Sequence, residues 1–121
     1  MIYREPQRRD RAALEADLGA TSPDIVAAAL VDAAHYSDAS WVIGYLLDAV
    51  EDSRDGVTKA GLAALAALAR RGVMPSDRRV WQTVLRCLDH PDHAGLAEDV
   101  LDDLEVYGTA GSRDRRPESG G

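Results

Sequence analysis

The sequence contains no phenylalanine, and aromatic residues make up only 5% of the chain. β-branched residues are few as well, so the residue types that favour strands are scarce. The apolar content is carried mainly by alanine, leucine and valine. With 121 residues, the chain has the length of one domain that folds around a single core. The composition therefore predicts a small all-α domain.

Long apolar runs are lacking as well. The longest, from Gly61 to Ala69, is too short to span a membrane. The first six residues carry charge and no apolar segment, so we expect no secretory signal there. A single cysteine, Cys87, excludes an internal disulfide and fits a reducing compartment. We therefore expect a cytoplasmic protein.

Positive charge is scarce over most of the chain. Between Ala12 and Ala110 there are 17 acidic and 7 basic residues, whereas the two ends together carry 7 arginines and 4 acids. Because phosphate binding requires clustered basic residues, the acidic body disfavours nucleic acid as a partner. It suits a basic protein partner, or simply serves solubility.

Apolar spacing, capping residues and glycines predict six helical segments separated by short breaks. They run from about Arg8 to Leu18, Ser22 to His35, Ser37 or Asp38 to Glu51, Ser53 or Asp55 to Arg71, Ser76 or Asp77 onward, and Pro91 to Tyr107. The fourth segment is apolar almost all round, which is typical of a helix buried on several sides. We predict that it is the centre of one helical-repeat domain, residues 1–110, followed by a disordered tail, residues 111–121.

Three short turns of similar sequence indicate an internal repeat. They are Ser22–Asp24, Ser53–Asp55 and His90–Asp92, spaced by 31 and 37 residues. Small or apolar residues follow each turn at matching offsets, and this alignment pairs Val57 of the second unit with Ala94 of the third. Small residues at such places let two helices approach closely within a hairpin.

The fourth segment also carries a D-x-V-x-x-A-x-x-x-A-L pattern on Asp55, Val57, Ala60, Ala64, Leu65 and Leu68. In these residues the chain resembles a short bacterial HEAT-like repeat protein. The resemblance implies a right-handed stack of about three antiparallel helical hairpins, a HEAT-like α-solenoid, whose second helices line a binding surface. The chain departs from the family at Thr58, where many members have arginine.

Catalytic and metal-binding patterns are weak. The segment Asp89–His93 resembles a metal site because it holds two histidines and two carboxylates, but Asp92 is explained as a helix cap. Cys87 lies between Val84 and Leu88 on an apolar helix face, so we interpret it as a core residue rather than a nucleophile. No nucleophile elbow, phosphate loop or H-E-x-x-H motif is present. We predict no metal, no cofactor and no catalytic residue.

The main candidates for partner binding are the five acids of the sixth segment, Glu98, Asp99, Asp102, Asp103 and Glu105. Their spacing places them on neighbouring stripes of one helix, where like charges repel and no local basic residue relieves them. They form either a docking face for a basic partner or a solvated face that keeps the last repeat soluble. A second acidic group, Asp48, Glu51, Asp52 and Asp55, has the same two interpretations.

Tyr36 and Trp41 flank a turn between two helices. They are either core residues, as their spacing allows, or anchors of an interface.

These features favour a non-enzymatic protein-binding module. Its sharpest form is a bacterial immunity protein that neutralises a basic toxin, because several such proteins resemble short HEAT-like stacks and acidity speeds encounter with a cationic nuclease. One alternative is a scaffold or assembly subunit that oligomerises through helix faces. Another is a HEAT-like lyase or cofactor-attachment factor, which no set of residues supports. The oligomeric state and the binding face stay open at this stage.

Overall fold

The computed structural model of the chain describes residues 8–74 and 77–107. These residues form six helices and no strand: α1 (Arg11–Leu18), α2 (Pro23–Tyr36), α3 (Ala39–Val50), α4 (Asp55–Arg70), α5 (Arg78–Cys87) and α6 (Ala94–Tyr107). The all-α prediction with six helices is confirmed. None of these six helices is long and apolar enough to cross a membrane. The predicted disordered tail, residues 111–121, lies outside the described residues.

Three helices begin at an aspartate whose side chain caps the helix. Asp10 accepts a hydrogen bond from the Ala13 amide at 2.8 Å, and Asp38 accepts one from the Trp41 amide at 3.2 Å. Asp77 caps α5 in the same way. Such bonds satisfy amide groups that have no partner inside the helix. Asp38 and Asp77 were both among the predicted caps.

The starts of α2 and α4 are held by tertiary contacts instead. Neither helix has a side-chain capping bond at its first turn. The Arg54 guanidinium donates to the Thr21 carbonyl oxygen at 3.1 Å, which ties the turn before α4 to the turn before α2. The Thr58 hydroxyl donates to the Asp52 carbonyl oxygen at 2.9 Å and closes the turn from within.

The central helix is α4, as the sequence predicts. It packs against α2, α3 and α6, and its leucines Leu62, Leu65 and Leu68 are completely buried. Successive helices pair as α1 with α2, α3 with α4 and α5 with α6, while α2, α4 and α6 stack on one another. The arrangement is a stack of three helical hairpins, and its right-handedness stays a prediction.

Two glycines mark places where a side chain does not fit. A Cβ atom on Gly61 would lie 2.9 Å from the Val50 amide nitrogen and 3.0 Å from the Ala49 Cβ, so α3 and α4 cross here in close contact. Gly72 follows α4 with a φ of +75°, a left-handed conformation that glycine adopts without steric cost. The first glycine sets the distance between two helices, and the second ends the central one.

Cys87 is buried at the end of α5, as predicted for a core residue. Its thiol donates to the Thr83 carbonyl oxygen at 3.6 Å. Burial raises the pKa of the thiol, which lowers its thiolate fraction and its reactivity.

The third repeat unit is out of register with the predicted alignment. Helix α6 begins at Ala94 and not at Asp92, which is exposed and caps nothing in the described structure. The spacing of the buried residues in α4, Val57, Gly61, Ala64, Leu65 and Leu68, recurs in the third unit. There the buried residues are His93, just before α6, and Ala97, Val100, Leu101 and Leu104 within it. Val57 therefore corresponds to His93, and its alignment with Ala94 was wrong by one residue, because the units share a buried face rather than a turn sequence.

Candidate functional site

The acidic face of α6 lies on the side of the helix away from the core. Glu98, Asp99 and Asp102 are exposed and have no cation partner within residues 8–74 and 77–107. Neighbours at this helical spacing repel one another by some tenths of a kcal/mol per pair. Among the described residues, these three carboxylates therefore present negative charge to the solvent without a cation paired to it.

Two of the five predicted acids on α6 already have partners. Asp103 is half-buried, and its carboxylate accepts a hydrogen bond from the Arg70 Nε at 3.1 Å. Glu105 is exposed but also has an interaction partner. The partner of Asp103 is not a local residue: Arg70 belongs to α4, 33 positions earlier in the chain.

The second predicted acidic group is an ion-pair network. Glu51 binds Arg86 of α5, and hydrogen bonds from Arg54 lower the pKa of Asp52 to about 2. Asp55 is paired with Lys59 and with a histidine of the third unit. Asp48 is exposed and is the one member without an ion pair in the described residues. Two of the four acids, Glu51 and Asp55, contact another helical unit and Asp52 is bonded within its own turn, so the group offers little unpaired charge to a partner.

The histidine segment before α6, His90–His93, contacts the first residue of α4. The Nε2 of His93 lies 2.8 Å from the Asp55 carboxylate, and the His93 ring stacks on His90 with 4.2 Å between centroids. The pKa of Asp55 is lowered by His93 first and by Lys59 second. No cluster of three or more His, Cys, Asp or Glu side chains in the described parts of the chain is arranged to hold a metal ion.

An open groove of about 540 Å³ lies where the start of α1 meets the turn between α2 and α3. Tyr36 is 41% exposed, which contradicts the core interpretation for this residue, while Trp41 is half-buried and packs against the Tyr45 ring. Two guanidinium groups lie over these rings: Arg8 is 5.0 Å from the Tyr36 centroid, and Arg11 is 4.6 Å from the Trp41 centroid. The groove thus combines exposed aromatic surface with positive charge.

A buried ion pair fixes the back of this groove. The Arg9 Nε lies 3.0 Å from the Asp32 carboxylate, outside hydrogen-bond geometry, and the Arg9 Nη1 donates to Asp17. The Asp32 side chain is completely buried in α2. Sequence reasoning missed this pair, although an aspartate between Val31 and Ala33 on an apolar helix was a usable signal.

The end of α4 connects the two candidate surfaces, which lie on different hairpins. The Arg71 guanidinium donates to the carbonyl oxygens of Ala34 and Ser37, both at 2.9 Å, and Ser37 lines the aromatic groove. Its neighbour Arg70 binds Asp103 on α6. Tyr36 and Trp41 therefore do not join the α6 acids in one site, but both surfaces reach the same helix end.

Comparison with known proteins finds similarity to a solved structure. No family model matches the chain, and no curated protein matches it. The chain is similar to a chain in the crystal structure of the CDI complex from Cupriavidus taiwanensis LMG 19424. The two share 26% sequence identity and superpose with a TM-score of 0.77, over 88% of this chain and 96% of that chain. The six-helix architecture is therefore shared over almost the whole length of both.

Proposed function

We propose that this chain is a bacterial immunity protein that binds and neutralises a toxin without catalysing a reaction. The observation that carries the proposal is the likeness to a chain of a CDI complex, at 26% identity and over nearly the full length of both chains. CDI denotes contact-dependent inhibition, in which a toxin is paired with an immunity protein. The net charge of −7 supports the inhibitor role, since it complements a basic toxin.

The finer features of the proposal follow from packing and charge. The stacking of α2, α4 and α6 in one layer, with α3 against α5 in another, supports a HEAT-like solenoid. The toxin is a basic protein, and the inhibitor meets it in the cytoplasm. Neither nucleic acid nor a membrane is the target of this acidic chain.

We assign the encounter with the toxin to the acidic face of α6. Glu98, Asp99 and Asp102 are exposed and uncompensated, so their field extends into the solvent and attracts a cationic partner. At physiological salt such attraction reaches about 8 Å, which accelerates association more than it strengthens the final complex.

Co-expression tests the proposed function directly. A candidate toxin domain, chosen from the open reading frames that neighbour this gene, is expressed in a susceptible host, with and without this chain. We expect the chain to restore growth and to form a stable complex with the purified domain. Growth arrest in the presence of a folded, well-expressed chain would reject the immunity role. If the chain does not bind the toxin but forms oligomers in sedimentation analysis, that result would favour the scaffold alternative.

Charge reversal tests the role of α6. In the pair Glu98→Lys and Asp102→Lys, long-range attraction is replaced by repulsion, so the association rate should fall by about tenfold or more at low salt. The control pair, Glu15→Lys and Asp48→Lys, changes the net charge equally at exposed positions elsewhere. Rates are measured by surface plasmon resonance at low and high salt. Equal slowing by both pairs would mean that net charge alone acts and that α6 has no special role.

A further inference from the structure

Unpaired positive charge on this acidic protein is concentrated at the aromatic groove. Of the basic side chains in residues 8–74 and 77–107, four have no carboxylate partner there: Arg8, Arg11, Arg71 and Arg78. Arg8 and Arg11 lie over the rings of the groove, and Arg71 donates to Ser37 in its lining. Two of the four therefore lie in the groove, and a third is bonded to a residue of its lining.

The groove has the composition of an interface hot spot. Tryptophan, tyrosine and arginine are the residues most enriched among those that dominate binding energy. The groove is lined by one tyrosine, one tryptophan and three arginines: Tyr36, Trp41, Arg8, Arg9 and Arg11. Each guanidinium that stacks on a ring keeps the N–H donors at its edge free for an acceptor.

The groove is held in shape before any partner arrives. The buried Arg9–Asp32 pair fixes the segment that carries Arg8 and Arg11 against α2. The two acids at the rim of the groove already accept capping hydrogen bonds: Asp10 caps α1 and Asp38 caps α3. The hydrogen bond from Ser40 is the main cause of the lowered pKa of Asp38, and the charge of Arg11 makes a smaller contribution. Neither Arg8 nor Arg11 forms an ion pair within 4 Å in the described residues, so their N–H groups can donate to an external acceptor.

We infer that this groove is the anchor site for an acidic side chain of the toxin, an aspartate or glutamate that Arg8 and Arg11 bind while Tyr36 and Trp41 pack on its surroundings. The inference rests on the proposed function and names the chemistry that its partner presents. A planar carboxylate matches the fork of a guanidinium, and desolvation by the neighbouring rings strengthens the contact.

A carboxylate on a basic partner suits this site better than a nucleic acid. A polynucleotide brings one negative charge per residue against a body of net charge −7, and the groove is too small to compensate that repulsion. A basic toxin is attracted as a whole and needs only one acidic side chain at the matching point. The α6 face then attracts the partner, and the groove fixes its orientation.

Calorimetric titration of this chain with the purified toxin domain tests the inference. We expect Arg11→Gln to weaken affinity by about tenfold or more, and Arg8→Gln with Arg11→Gln to weaken it further. The matched control is Arg78→Gln, which also removes an exposed, unpaired arginine but lies outside the groove lining. It should leave affinity within about twofold of wild type.

Substitutions on the toxin identify the partner group. Each surface aspartate or glutamate of the toxin is replaced by its amide. The loss of affinity is then measured for binding to the wild-type chain and to the Arg11→Gln chain. One replacement should weaken binding to wild type and have little further effect on Arg11→Gln, which is the signature of a direct contact. If every replacement weakens binding to wild type and to Arg11→Gln by the same factor, no toxin carboxylate contacts Arg11 and the inference is wrong.

Each remaining outcome is decisive. If wild type does not bind the toxin, the proposed function and this inference both fail. If wild type binds and Arg11→Gln binds as tightly as Arg78→Gln, the groove inference is wrong and the immunity role stands. In Trp81→Phe, the remaining tryptophan is Trp41, so its fluorescence reports on the groove. Saturable quenching by single-stranded oligouridine would assign the groove to nucleic acid instead.

Discussion

Replacing Gly61 by alanine should destabilise the protein even though alanine is the better helix former. The new methyl group would lie 2.9 Å from the Val50 amide nitrogen and 3.1 Å from its Cγ2, so α3 and α4 must move apart. Overpacking of this kind costs about 1–3 kcal/mol, while the change from glycine to alanine inside a helix gains about 1 kcal/mol. We expect a net loss of up to about 2 kcal/mol.

Gly44 provides the matched control for this prediction. It lies inside α3, and a Cβ atom there would meet nothing within 4 Å, so Gly44→Ala keeps the gain in helix propensity without a clash. For a domain near 100 residues, 1 kcal/mol corresponds to about 4 °C in Tm. Thermal unfolding followed by circular dichroism should show a Tm lowered by up to about 8 °C for Gly61→Ala and raised by up to about 4 °C for Gly44→Ala. A Gly61→Ala protein as stable as Gly44→Ala would refute close packing at the α3–α4 crossing.

Three further predictions concern stability. Leu65→Asp places an unpaired charge in the completely buried centre of α4 and should unfold the domain, which loss of the helical dichroism signal would reveal. Asp32→Asn removes the buried carboxylate that pairs with Arg9 while Asp17 stays in place, and it should cost about 1–3 kcal/mol in urea unfolding; an unchanged midpoint would mean that the pair is dispensable. Because Arg54 holds the pKa of Asp52 near 2, below its ordinary 3.8, this pair stabilises the fold above pH 4 and the contribution is lost as pH falls towards 2. The Arg54→Gln protein should lose less stability than wild type over that interval.

Features that depend on local sequence were predictable. Asp38 and Asp77 were recognised as caps because a capping bond spans only two or three residues. The central position of α4 was predictable because its apolar residues cover most of its circumference. Tertiary contacts escaped this reasoning, as Arg70 and Asp103 show: they are 33 residues apart and meet only when α4 and α6 stack.

Because tertiary contacts cannot be read from local sequence, the candidate sites were predicted only in part. Tyr36 and Trp41 were identified from their position beside a turn, but Arg8 and Arg11 were counted only as terminal charge. Their placement over the two rings depends on the buried Arg9–Asp32 pair, which no helical period reveals. The alignment of the third repeat was wrong for a related reason. It matched the turn sequences of the units, whereas the pattern of buried residues is set by the helix face.

The position of α4 has a consequence for how such a protein can change its target. The helix that contacts all three hairpins contributes neither aromatic anchors nor α6 acids, and it reaches both surfaces only through the adjacent pair Arg70 and Arg71. The other candidate binding residues belong to the first and last hairpins, and Trp41 lies in the first turn of α3, in the middle one. We therefore expect the outer hairpins to be exchangeable modules: a chimera that keeps α4 and its two terminal arginines should fold, and should inherit the toxin preference of whichever hairpin it receives.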